Sequence, residues 1–272
     1  MVSTNITKIF FRGNEIVALY KGDTLIFRKS GGGSTTEPTG VYTVRGTLKP
    51  DSRARNIQLC VNGKREQFDV NNDKTFEYTF VNVPITNMDY FTQACRDKLK
   101  TIDLSNFDTS QVTSMYEAFI QCSNLTSIDL TNVNTSKVTD MYGMFCDCYG
   151  LTSLDLSSLD TSNVTDISNM FTYNSALEDL YMNFNVRSVS YYGNIFYDCK
   201  SLKNVVGKFE GTKFDLDLYD CPLTAQSAMV FINGLATVTT TRTLKLSATT
   251  YDSLTNEQIA IATSKGWTVT RN

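Results

Sequence analysis

Two hydrophobic periods divide the chain. Over residues 1–29, apolar and polar positions alternate in short runs, ITKIFFRG, NEIVALYKGD and TLIFRK, with turn signals at Gly13-Asn14 and Lys21-Gly22-Asp23. Period-two alternation bounded by turn residues predicts a three-stranded meander. A sheet that small should be stable only when docked on a partner or paired with copies of itself. Residues 30–40, SGGGSTTEPTG, carry no apolar anchor and read as a flexible linker. Residues 41–84 alternate again. VYTVRGTL, NIQLCVNG, EQFDVNND and TFEYTFVNV predict strands, with hairpin turns at Asn62-Gly63 and Asn71-Asn72-Asp73. A small β module packed on the end of the following domain is expected.

From Leu99 the pattern acquires a long period. Leu99, Leu125, Leu151, Leu177 and Leu202 step by 26, 26, 26 and 25 residues, and Phe119, Phe145, Phe171 and Phe196 step by 26, 26 and 25. Cys122, Cys148, Asn174 and Cys199 hold the same register, as do Ile102, Ile128, Leu154, Leu180 and Val205. DTSQVTSM, NTSKVTDM and DTSNVTDI are nearly one octapeptide at a fixed offset. A period of this length in three or more copies predicts a solenoid with one continuous core. In each unit L-x-x-L-x-L turns alternate side chains inward from a short strand, and stacked strands form a parallel sheet at roughly 4.8 Å spacing. The D/N-T-S-x-V-T segment turns the chain. M-x-x-x-F places Met and Phe four apart, as on one face of a helical turn, so that they plug the core from the far side. Ile85, Met88, Phe91 and Cys95 imitate the back half of a unit and read as an N-terminal cap. The unit from Leu177 is degenerate. The repeats therefore span 85–205.

Residues 206–272 break the period. T-A-Q-S opens an amphipathic helix over Ala225 to Asn233, stopped by Gly234, and RTLKLSA is a strand. Thr255 and Gln258 form a capping box, Gly266 ends that second helix, and GWTVT gives a last strand. Two βα-like turns should close the open end of the array. The expected fold is mainly β with short helices.

Composition narrows the chemistry. Histidine is absent, which removes the commonest general base and metal ligand. The net charge of −3 gives no electrostatic footprint for nucleic acid. Seven cysteines, an odd number with no zinc-ribbon spacing, read as buried free thiols rather than a disulfide framework. No stretch approaches 18 apolar residues, so no membrane insertion is expected. Lys8 falls where a signal peptide needs its apolar core, and no lipobox cysteine follows, so no export signal is expected. No cofactor, metal site or catalytic residue is expected, and the chain reads as a non-enzyme.

LTSIDLTNVNTSKVTDMYGMFCDC and LTSLDLSSLDTSNVTDISNMFTYN resemble the 26-residue BspA-type leucine-rich repeat of bacterial surface proteins, Mycoplasma lipoproteins and gut-bacterial adhesins. The resemblance implies a leucine-rich-repeat solenoid that adheres to host or matrix proteins without catalysis. The N-terminal T-K-I-F-F-R-G-N-E-I and Y-K-G-D-T-L-I-F resemble short β modules on structural proteins of gut bacteriophages, crass-like phages among them. That implies a virion surface protein, a fibre or decoration protein, held to other virion proteins through residues 1–29 as a homo-oligomer. Its repeats would then meet a host surface protein or glycan. The alternative is a BspA-like adhesin at the bacterial cell surface or secreted from it.

Two sets of residues are candidates for the ligand-facing surface. Asp103, Asp129 and Asp155 share an outward column, where stacked like charges at about 5 Å repel by about 1 kcal/mol per pair in water. They form either a solvated stripe served by nearby Ser and Thr donors or part of a binding sheet. Tyr181 replaces the Asp in that column. Tyr116 and Tyr142 share a second column and serve either partner binding or edge packing.

Overall fold

In the computed structural model of the chain, the described residues are 8–12, 15–21, 24–28, 41–81 and 84–272. The linker expected over 30–40 lies outside them, as do Gly13-Asn14 and Gly22-Asp23 of the expected turns. The chain divides into one unit of Met1–Thr43 with Thr79–Pro84, and another of Val44–Tyr78 with Ile85–Asn272. In the first, β1 (Lys8–Arg12), β2 (Glu15–Lys21) and β3 (Thr24–Arg28) form an antiparallel sheet in that order.

The strands that follow are β4 (Val41–Leu48), β5 (Asn56–Val61), β6 (Lys64–Asp69), β7 (Thr75–Val81), β8 (Leu99–Asn106) and β9 (Ser127–Asp129). Then come β10 (Ser153–Leu156), β11 (Asp179–Asn185), β12 (Asn204–Glu210) and β13 (Leu216–Leu218). Helix α1 (Ala225–Gly234), β14 (Arg242–Leu246), α2 (Ala248–Asp252), α3 (Asn256–Ser264) and β15 (Trp267–Arg271) complete the chain.

The fold is mainly β with short helices, but the expected leucine-rich-repeat solenoid is corrected. The described strands fall into five separate sheets of two to four strands, ordered β1-β2-β3, β7-β4-β8-β9, β5-β6, β10-β11-β12 and β13-β14-β15. No continuous parallel wall runs along the repeats. The strand side is interrupted between Asp129 and Ser153. There β9 is only three residues long, and Ile128 stays half exposed while Ile102, Leu154 and Leu180 of its column are buried.

What joins the repeats runs along their turn side. Parallel bridges link Asn87 to Ser114, Ser114 to Asp140, Asp140 to Asp166 and Asp166 to Tyr191. The expected helical turn of M-x-x-x-F is not helical, and its hydrogen bonds show why. The N–H groups of Met115, Glu117, Phe119 and Gln121 donate to the carbonyls of Asp140, Tyr142, Met144 and Cys146 in the next repeat, at 2.8–2.9 Å. Between them, the N–H groups of Ala118, Ile120 and Cys122 donate locally to Met115, Glu117 and Phe119. Alternate amides thus point along the array instead of back along the chain. This needs left-handed backbone at Glu117, Asn169 and Asn194 (φ 49–57°) and again at Gln121, Asp147, Tyr173 and Asp198 (φ 59–64°). Asn and Asp tolerate that conformation better than most residues.

Buried side chains close the remaining groups. Thr161 Oγ1 donates to Asn185 O (3.1 Å) and accepts from Asn185 N (2.8 Å), and Thr109 clamps Asn134 in the same two ways. Cys148 and Cys199 donate their thiols to Phe119 O and Phe171 O, both at 3.1 Å. Asn174, in the same column, sends its amide to Phe145 O and Phe171 O. Cys and Asn interchange because the column needs a small buried donor. Asn174 also carries an Oδ1 that finds no partner. Inside, the Phe rings stack from repeat to repeat at 5.3, 6.3 and 5.4 Å.

Both ends are closed. At the N-terminal end, β4 lies beside β8, and Thr47 N donates to Thr101 Oγ1. Gly46 sits in β4 because a Cβ there would fall 2.3 Å from Thr101 O. The β5-β6 hairpin covers the turn side. Cys60 N donates to Phe91 O, and Asn62 Oδ1 accepts from Thr86 N and Asn87 N. At the C-terminal end α1 packs Phe231 on Phe209 of β12 (5.3 Å), and Ser227 Oγ accepts from Val205 N. Thr224 caps α1, Thr255 and Gln258 make the capping box on α3, and Gly266 follows at φ +89°. α1 ends at Gly234, where a Cβ would meet Phe209 O at 1.8 Å. Lys265 Nζ also closes that end on the carbonyls of Ile232 and Asn233.

Two substitutions test the junction chemistry. Thr161→Val should cost about 2 kcal/mol in urea unfolding, since it orphans both backbone groups of Asn185, whereas Thr165→Val, on an exposed hydroxyl, should stay within about 0.5 kcal/mol. Asn174→Cys keeps the donor and deletes the unpartnered oxygen, so it should raise stability by about 1 kcal/mol.

Candidate functional site

The six candidate residues do not converge on one patch. Asp103, Asp129 and Asp155 lie on β8, β9 and β10, with Asp103 facing Asp129 in register and Asp155 facing Tyr181. Each carboxylate is engaged by its own turn. Asp103 accepts from Ser105 N, Asp129 from the amide and hydroxyl of Thr131, and Asp155 from the amide and hydroxyl of Ser157. The Thr131 hydrogen bonds hold the Asp129 carboxyl below the usual range. Tyr181 is exposed at the end of this column. Tyr116 and Tyr142 lie instead on the turn side, half-buried and stacked at 4.8 Å with planes 6° apart, and Tyr90 meets Tyr116 edge-on at 5.4 Å. Burial, then the charge of Glu117, pushes the Tyr116 phenol up.

A second set of tyrosines forms an exposed row. Tyr149, Tyr173, Tyr197 and Tyr219 are 40–47% exposed, a high value for large rings. Tyr173 and Tyr197 meet edge to face at 5.5 Å. Tyr149 and Tyr219 extend the row, each close enough to its neighbouring tyrosine to feel its charge. Tyr149, Tyr173 and Tyr197 come from the corner after the Phe of successive repeats, which holds the left-handed residues Asp147, Tyr173 and Asp198, and Tyr219 comes from the turn after β13. Carboxylates flank them. Tyr149 Oη donates to Asp147 Oδ1 at 2.7 Å, and that bond pushes its phenol up to about 12. The charge of Asp220 raises the Tyr219 phenol, and Asp220 accepts from Asp198 N at 2.8 Å. Column reasoning misses this row, because Tyr149, Tyr173 and Tyr197 occupy three different positions of the repeat; what they share is the corner.

The thiols are a poor source of chemistry. All seven cysteines are free, five are buried, and burial pushes the half-buried Cys146 up to about 12, which keeps it protonated near neutral pH. Among the described residues no group of His, Cys, Asp and Glu is placed to hold a metal ion. No helix there is long and apolar enough to cross a membrane.

The repeats and their Tyr corner coincide with a stretch of known family likeness. Residues 86–209 match the family model described as "Mycoplasma protein of unknown function, DUF285". The DUF285 match covers a little under half of the 272-residue chain. It runs from the first bridged turn at Asn87 to β12, and holds Tyr149, Tyr173 and Tyr197 of the exposed row. No curated protein and no solved structure matches the chain.

The Tyr149–Asp147 contact has a titration signature. A phenol raised in the folded state favours folding below its unfolded value of about 10, and that contribution is lost as pH climbs through the folded value. Asp147→Asn should therefore bring one phenol back toward about pH 10, seen as earlier tyrosinate absorbance in an alkaline ultraviolet titration, and Tyr149→Phe should abolish the difference.

Proposed function

We propose that the chain is a non-catalytic bacteriophage virion surface protein, a fibre or decoration protein that displays its repeats for adhesion to the host cell surface. The row of Tyr149, Tyr173, Tyr197 and Tyr219 supports the adhesion part of this reading. Exposed rings are the side chains that protein interfaces concentrate at their energetic centres, and here Tyr173 and Tyr197 are in direct contact. The resemblance of residues 1–29 to phage structural modules supports their assignment as the anchor. Display in several copies would turn weak single contacts into avidity.

The second reading, a bacterial surface or secreted adhesin, is favoured by the description of the DUF285 family as a Mycoplasma protein. Both readings make the repeats a binding surface and differ in what carries it. An antibody to the full chain should label purified phage particles by immunogold and leave uninfected cells bare; label on intact cells in cultures free of phage would support the adhesin instead. In either case the full chain with Tyr173→Ala and Tyr197→Ala should fold normally and lose about tenfold in adhesion to the cells it binds.

A further inference from the structure

Carboxylates outnumber cations along the tyrosine row. Asp147 stands beside Tyr149, Asp198 follows Tyr197, and Asp217 and Asp220 bracket Tyr219. Lys200 pairs with Asp198, and Lys245 pairs with Asp217 at 3.0 Å. Neither Asp147 nor Asp220 makes a direct ion pair among the described residues, although Lys200 lies near enough to Asp220 to be raised by its charge. Asp147 is engaged by the Tyr149 hydroxyl and Cys146, and Asp220 by the Asp198 amide and Tyr219; a carboxylate offers about four lone-pair sites, so each keeps further acceptor capacity. The phenols of Tyr149 and Tyr219 are raised by these same two carboxylates, which is the response expected in a negative local field.

Aromatic faces beside unpaired carboxylates form a cation-binding surface. A guanidinium or ammonium is attracted to the face of a tyrosine ring, and Arg also stacks on it. Consecutive rings come from consecutive repeats, with Tyr173 and Tyr197 centred 5.5 Å apart. An extended peptide presents alternate side chains on one side at about 6.6 Å, close enough to address neighbouring rings in turn. A neutral glycan would stack on the rings but leave the charge of Asp147 and Asp220 unmatched.

We propose that this row binds an extended basic segment of a partner protein, with Lys or Arg side chains laid on Tyr173 and Tyr197 and their charge met by Asp147 and Asp220. The inference rests on the adhesion reading and names its partner chemistry. The test uses the full chain in fluorescence anisotropy with a labelled peptide of alternating arginine and glycine, a matched glutamate–glycine peptide, and a neutral cello-oligosaccharide. The arginine peptide should bind. Its affinity should fall about tenfold in Tyr173→Ala/Tyr197→Ala, which leaves the charge unchanged, and comparably in Asp147→Asn/Asp220→Asn. It should hold in Tyr181→Ala/Tyr191→Ala, which removes two exposed tyrosines elsewhere. Equal binding by the Tyr173/Tyr197 variant would overturn the proposal, because overall negative charge would then explain the affinity. Tyrosine-dependent binding of the oligosaccharide in place of the peptide would also overturn it and leave the adhesion reading standing. Absence of all probe binding, with cell adhesion still lost in the Tyr173/Tyr197 variant, overturns the basic partner alone; absence of both overturns the two together. Melting curves accompany each variant, and if Asp220→Asn unfolds the corner the tyrosine pair decides the matter.

Discussion

A turn cannot satisfy all of its own hydrogen bonds, and the way this chain meets that constraint organises the rest of the molecule. In residues 117–122 alternate amides are satisfied within the turn and the others by the next repeat, and the Tyr116 amide donates to Asp89 of the preceding one. An unsatisfied buried amide costs as much as a lost hydrogen bond, so one repeat is incomplete without its neighbour. The residue columns follow from this. Thr109 and Thr161 close the D/N-T-S turn onto the following repeat, and Cys148, Asn174 and Cys199 supply donors to the Phe carbonyls. The left-handed residues are the geometric condition for the alternation, and the stacked Phe rings fill the space it encloses.

The same constraint explains why the two sides of the array differ. The turn side is bridged through every repeat from Asn87 to Tyr191. The strand side needs no such continuity and breaks where β9 is short. At the ends, where no further repeat exists, other elements supply the missing partners. Asn62 and Cys60 of the hairpin do so at one end, and Thr224, Ser227 and the body of α1 do so at the other.

Much of this is legible in the sequence, because burial and capping leave residue-type signatures. The period, the Leu, Met and Phe columns, the Thr255–Gln258 capping box and the glycine at 266 can all be read from the residues. The M-x-x-x-F spacing misleads, since four-residue spacing of apolar groups records burial on one side and says nothing about where the amides point. Gly234 does end α1, and it is glycine also because two backbones approach closely there, α1 and Phe209. A continuous solenoid wall follows from the repeat only if every strand is long enough to pair, and Ser127–Asp129 is not. Asp103, Asp129 and Asp155 stand out as a column although their turns engage them. The tyrosine corner escapes notice because its rings come from unlike positions of the repeat and meet only in three dimensions.

The caps touch only the first and last repeats. Residues 44–78 contact the chain around Thr86, Phe91 and Thr101, and α1 meets β12. Nothing in either cap measures how many repeats lie between. The number of bridged turns between the caps is therefore a quantised variable, adjustable by whole insertions of 25 or 26 residues. A lineage carrying this chain can change that number by duplication or deletion of DNA in that unit, with both closures left intact.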